Sequence, residues 1–159
     1  ITYVALADGS WIYLAMWQDK FTRRIIGWKL ANSMTEELVI EAFKKALSGG
    51  YVEKNAIIHT DRGSQYSSNK FRQLLQLNEL RQSMSGKGNC YDNAQAESFF
   101  ARYKTELLEN GMFEDLEQGL SETFSYIEGY YNRTRIHSGL DNQSPADFEK
   151  KWENLITSG

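Results

Sequence analysis

The chain has 159 residues, a formal net charge of −3, one proline and one cysteine. These values exclude a long linker, a low-complexity tract, an internal disulfide and a uniformly basic nucleic-acid binder. An apolar fraction of 41% with 25% charged residues fits one folded domain, large enough to bury about two-thirds of the surface its unfolded chain exposes.

The longest strongly apolar run, WIYLAMW at 11–17, is too short to cross a bilayer, so no membrane contact is expected. A lone cysteine suits a reducing compartment, and a cytoplasmic location follows as the expectation. There is no initiator methionine or signal peptide, and ITYVAL at the start already reads as the inside of a strand. The expectation is a domain cut at its N-terminal edge from a longer chain.

Three runs rich in β-branched and aromatic residues open the sequence: ITYVALA, WIYLAMWQ and RRIIGWKLA. Short polar breaks, DGS and DKFT, separate them and predict an antiparallel meander. The second run is apolar on both faces, as in a strand covered on both sides. Helical spacing then takes over at Leu38, Val39, Ala42, Phe43, Ala46 and Leu47, after SMTE read as a capping box and before a GG stop. AIIH predicts a short strand, Ser68 caps a helix carrying Phe71, Leu74 and Leu75, and LRQSM predicts a fifth strand. A polar glycine-bearing loop, SGKGNCYDN at 85–93, leads into a helix from about Ala94 to Glu109. A further helix is expected from about Asp115 to Arg135, with Leu116, Leu120, Phe124, Ile127 and Tyr131 as its apolar stripe. The order βββ-α-β-α-β-α-α predicts an α/β fold, a mixed five-stranded sheet flanked by helices, which resembles the ribonuclease H-like arrangement.

Charge is unevenly spread. Residues 62–104 hold seven Lys/Arg against three Asp/Glu, whereas residues 105–128 hold seven acids and no Lys or Arg. Either an anion-facing surface or two solvated faces of opposite sign satisfies this pattern.

Asp61 closes an apolar run, and Glu97 opens a helix after thirty-five intervening residues. That separation lets helix, strand and loop bring both carboxylates to one sheet edge, where hard divalent cations find oxygen ligands. Two such ions about 4 Å apart serve phosphoryl transfer. Spacing alone equally allows a plain turn at Asp61-Arg62-Gly63 and a dipole-favoured Glu97. Lys104 lies two helical turns beyond Glu97 on the same face, suited either to a phosphate or to solvent. Cys90 with His59 or His137 makes a weak thiol-nucleophile pattern, and Cys90, Asp92 and His59 lack zinc spacing. His59 suits local packing better than metal work. Arg133, Arg135 and His137 face either phosphates or the negative end of their helix, and Phe99, Phe100 and Tyr103 read as core.

IHTDRGSQYSS, QSMSGKGNCYDNAQAESFFARYKTEL and YIEGYYNRTRIHSGLDNQSPADF resemble the integrase catalytic core of bacterial insertion-sequence transposases, relatives of retroviral integrases. The resemblance implies a DDE-type polynucleotidyl transferase that nicks transposon ends and joins a 3′-hydroxyl to target DNA, with no covalent protein–DNA intermediate. It implies two Mg²⁺ (or Mn²⁺) ions, with Asp61 as second acid and Glu97 as third, both catalytic and metal-binding. It also implies DNA contacts at Lys104, Arg62 and the loop residues Lys87, Asn89 and Tyr91, oligomers on DNA, and nucleoid association while acting. The family's first acid stands immediately before a strand like ITYVAL, which here begins at Ile1. Asp8 and Asp19 match a hairpin turn and a strand end instead. This chain is therefore expected to bind metal poorly and to be weak or inactive. A ribonuclease H-like nuclease and a non-catalytic DNA-binding or regulatory fragment are the alternatives.

Overall fold

The computed structural model describes residues 1–86, 93–108 and 111–157. The meander forms as expected: β1 (Thr2–Leu6), β2 (Trp11–Gln18) and β3 (Ile25–Ala31) run antiparallel, with Tyr3 opposite Tyr13 and Leu14 opposite Leu30. In the first hairpin turn Gly9 takes a φ of 85°, and Asp8 accepts the Ser10 N–H at 2.8 Å. Asp8 is thus a turn residue.

Side chains of β2 alternate into two cores. Ile12, Leu14 and Met16 join Phe99, Tyr103, Tyr126, Ile127 and Tyr131 on one face. Ala15 and Trp17 join α1 (Glu36–Ser48) and α2 (Asn69–Leu77) on the other. Burial on both sides is what the continuous apolar run requires. Helix α1 lies so close to β3 that a Cβ on Gly27 would stand 2.3 Å from the Ala42 carbonyl oxygen.

The expected capping box at SMTE does not form. Thr35 is the N-cap, with no side-chain cap bond, and Glu36 instead bridges to Lys70 at 2.9 Å with Glu37 at 2.8 Å. An ion pair between the starts of α1 and α2 replaces the reciprocal local bond. Ser68 does cap α2, accepting the Phe71 N–H at 3.2 Å.

The α/β, ribonuclease H-like architecture holds, but the strands are not one five-stranded sheet. β4 (Ile57–Thr60) and β5 (Arg81–Met84) make a separate two-stranded parallel ladder. The four-stranded sheet, ordered β3-β2-β1-β6, is completed by β6 (Met112–Phe113), paired parallel with Ala5 and Leu6 of β1. Two residues are too few to show a pleat alternation, so β6 is invisible as a pattern.

Helix α3 (Ala94–Leu107) follows the polar loop. The next predicted helix divides into α4 (Leu116–Phe124), capped by Asp115 accepting the Gln118 N–H at 2.8 Å, and a π-helical segment, Ser125–Tyr131. The apolar stripe changes accordingly. Leu120 and Phe124 are 39% and 59% exposed, while Gly119 and Thr123 face the sheet and Ile127 and Tyr131 are buried. Gly119 fits because a Cβ there would already touch Ile12, Leu30 and Phe113. A fifth helix, α5 (Pro145–Thr157), was not expected; it starts at Ser144, which bonds both the N–H and the carboxylate of Asp147. Among the described residues no helix is long and apolar enough to cross a membrane.

Candidate active site

A cleft of about 550 Å³ opens between the end of β4, the loop after β2 and the start of α3, and both Asp61 and Glu97 line it. Its inner wall is aromatic, from Trp17, Phe43 and Tyr66, and its rim is polar, with Gln18, Asp19 and Gln95.

Asp61 follows the last residue of β4, where the parallel ladder ends. Its Oδ1 accepts the Gly63 N–H at 2.7 Å, closing an Asx turn. A Cβ on Gly63 would lie 2.9 Å from that same oxygen, so glycine keeps the turn open for the carboxylate. Tyr66 lies beneath, its phenol pushed well above its ordinary pKa by burial and further by the Asp61 charge. Ile1, just before β1, lines the same cleft.

Glu97 is exposed on the first turn of α3, where the positive end of the helix favours a carboxylate. Gln95, two residues before Glu97, donates to the Lys20 carbonyl at 3.4 Å and ties α3 to the loop after β2. Asp19 shares the rim, but its Oδ1 already accepts from the Phe21 and Thr22 amides and the Thr22 hydroxyl. That use matches the turn role read from its position.

The other candidates are dispersed. Lys104 lies outside the cleft lining, with Nζ 4.8 Å from the centre of the Tyr3 ring. Arg62 donates from Nε to the Ser85 carbonyl at 2.9 Å, joining the turn after β4 to the end of β5. Lys87, Asn89 and Tyr91, with Cys90 and Asp92, lie outside the described residues. His59 packs locally, Nδ1 at 3.1 Å from the Ser83 hydroxyl. Burial and the neighbouring Arg135 lower the pKa of His137 to about 4. Phe99 and Tyr103 are core, as their spacing indicates.

Among the described residues no cluster of three or more His, Cys, Asp or Glu side chains is placed to hold a metal. Asp61 and Glu97 are exposed carboxylates on the cleft, with Asp19 on its rim, and hard oxygen ligands of this type suit Mg²⁺ or Mn²⁺ rather than a soft metal. The donor set fits such an ion without completing its coordination. Of the aromatic inner wall, only the places of Trp17 in a strand and Phe43 in a helix were legible, not their meeting with Tyr66.

A helix-flanked mixed sheet thus carries Asp61 at a strand end and Glu97 at a helix start, both lining one cleft. Residues 1–90 match the integrase core domain family, and residues 78–145 match a second integrase core domain description. The chain belongs to the integrase core family. It is 43% identical over 150 residues to the transposase for insertion sequence element IS904 of Lactococcus lactis, covering 94% of this chain and 59% of that protein. It is also 43% identical over 151 residues to transposase InsF for insertion sequence IS3A of Escherichia coli, covering 95% and 52%. The chain thus spans little more than half the length of these relatives. Among solved structures, a simian T-cell lymphotropic virus intasome, bound to a PP2A regulatory subunit, superposes with a TM-score of 0.73 at 15% identity, covering 93% of this chain and 51% of that one. The HTLV-2 integrase catalytic core domain in complex with magnesium, in its trimeric form, does so with 0.67 at 16% identity, covering 92% and 90%. These likenesses show the shared fold.

Proposed function

We propose that this domain is the catalytic core of an insertion-sequence transposase, which cleaves transposon ends and joins them to target DNA as an oligomer on DNA. One observation carries the reading: Asp61 and Glu97, from separate elements, line one cleft. Its 43% identity to transposases adds the reaction class. Asp61 and Glu97 would hold Mg²⁺ or Mn²⁺, which when bound would supply activation of the attacking oxygen and stabilisation of the leaving one. The chain's own residues do the positioning. The Asx turn at Gly63 holds the Asp61 carboxylate at the strand end, and the amino end of α3 presents Glu97. Tyr66, kept protonated, floors the site without adding charge. Lys104, Arg62 and the Lys87, Asn89 and Tyr91 loop supply the DNA contacts in this reading. An aspartate placed immediately before Ile1 completes the acid set in this reading, because Ile1 lines the same cleft as Asp61 and Glu97.

The test is strand joining from pre-cleaved end duplexes with Mg²⁺, by this chain and by the chain extended with one aspartate before Ile1. Joined product from the extended chain, lost in its Asp61→Asn and Glu97→Gln variants and far weaker without the extension, supports the reading. Hydrolysis with no joined product assigns a nuclease instead. Full joining by Glu97→Gln overturns the site.

A further inference from the structure

An exposed aromatic ring stands among the polar groups of the cleft rim. Phe21, between Lys20 and Thr22 in the loop after β2, lines the cleft and is 49% exposed. Single exposed apolar residues are ordinary on a protein surface, but this one belongs to a cluster. Helix α5 brings two rings against it: Phe148 with ring centres 5.2 Å apart and planes at 60°, and Trp152 at 5.0 Å and 65°. Trp152 is itself 47% exposed. Edge-to-face contacts of this kind orient a ring without covering it.

The backbone of the loop is held as firmly. Asp19 Oδ1 accepts the Phe21 N–H at 3.0 Å and the Thr22 N–H at 2.6 Å, and the Arg23 N–H donates to the Asp19 carbonyl at 2.9 Å. The Lys20 carbonyl accepts from Gln95 at 3.4 Å, which fastens the loop to the start of α3, two residues before Glu97. Phe21 is therefore fixed from both sides, while about half of its surface stays open on a cleft that also holds Asp61 and Glu97.

A rigid aromatic face open to solvent is a platform for a nucleic-acid base, because every base presents a π-face and stacking asks for no particular hydrogen bond. A base within a duplex already stacks on its neighbours, so the ring selects a base that is unpaired. Lys20, next in the chain and also on the cleft lining, offers a cation to the phosphate of the same strand. We propose that Phe21, braced by Phe148 and Trp152, stacks an unpaired base of the DNA strand entering the Asp61–Glu97 cleft and so holds that strand in place. The proposal rests on the DNA-joining function above.

Competition anisotropy with this chain and Mg²⁺ tests it on two duplexes bearing single-stranded extensions of equal length, one carrying adenine throughout and the other abasic. The chain should prefer the adenine-bearing DNA by about 5- to 150-fold, the range spanned by one base–aromatic stack. Phe21→Leu should lose most of that preference while binding the abasic DNA as the parent does, and Phe21→Tyr, which restores a ring, should keep it. Neither substitution alters a charge, so the salt dependence of binding should stay the same. A preference absent from the unaltered chain overturns the stacking role, whatever the variants do. So does a folded Phe21→Leu protein that keeps the preference or weakens both DNAs equally; the cluster then serves to pack α5 or to meet a protein partner. No binding of either DNA by the unaltered chain overturns the DNA-joining function, and the platform with it.

Discussion

Asn132→Ala is the substitution whose cost the structure specifies best. Asn132 is 2% exposed; its Oδ1 accepts the Ile25 N–H and its Nδ2 donates to the Ile25 carbonyl, both at 2.9 Å. The side-chain amide thereby acts as a one-residue strand partner for the outer edge of β3. Alanine leaves two buried backbone groups unpaired, each costing about 1–3 kcal/mol, so a loss of about 3 kcal/mol is expected. For a chain of this length that corresponds to a fall of about 6–12 °C in melting temperature. Asn132→Asp separates the two bonds. It keeps an acceptor for the Ile25 N–H but sets a carboxylate against the Ile25 carbonyl, so its deficit should shrink once acid protonates the new side chain. Circular dichroism melts at two pH values read both effects. An Asn132→Ala protein melting within about 2 °C of the parent would refute the reasoning, since neither orphaned group would then matter.

Gly27→Ala should cost about 3 kcal/mol or prevent folding, because the new methyl meets the Ala42 carbonyl oxygen at 2.3 Å and the Ala46 nitrogen at 2.9 Å; thermal melts and soluble yield report it. Thr123→Val strands the buried Tyr103 hydroxyl, now 2.6 Å from the Thr123 hydroxyl, and should lower stability by about 1–3 kcal/mol in a urea titration. His137 binds a proton more weakly folded, at a pKa of about 4, than unfolded at 6.5. Its contribution is therefore complete above about pH 6.5 and lost as pH falls towards 4. Arg135, Arg23 and Arg102 face it against Glu106 alone. Across that window His137→Gln should lose about 2 kcal/mol less than the parent, and equal losses in paired denaturant titrations would exclude His137 as the cause.

Much of the fold was legible because it is written in local patterns. The meander, α1, the Ser68 cap and the start of α3 each show a period or a cap within a few residues. What escaped depends on distant partners. β6 exists because Ala5 and Leu6 offer an edge, not because Met112 and Phe113 form a pattern. The stripe of α4 failed at Leu120 and Phe124 because inward space beside Ile12 and Leu30 admits only Gly119. Ser144, Pro145 and Asp147 do carry a local start signal for α5, a cap followed by proline at the first helical position. At the site, the meeting of Asp61 and Glu97 on one cleft follows the strand-end and helix-start logic. The position of Lys104 over Tyr3 does not, since a helical face says nothing of which aromatic ring lies opposite.

The hydrogen bond from Gly63 to Asp61 has a consequence for how a cation would be received. A carboxylate already anchored through one oxygen has lost its rotation before any ion arrives, so little ordering entropy remains to oppose binding. The same anchor draws electron density from that oxygen and softens its hold on metal. In the proposed reaction, Asp61 would therefore offer a cation a fixed angle of approach more than a tight grip.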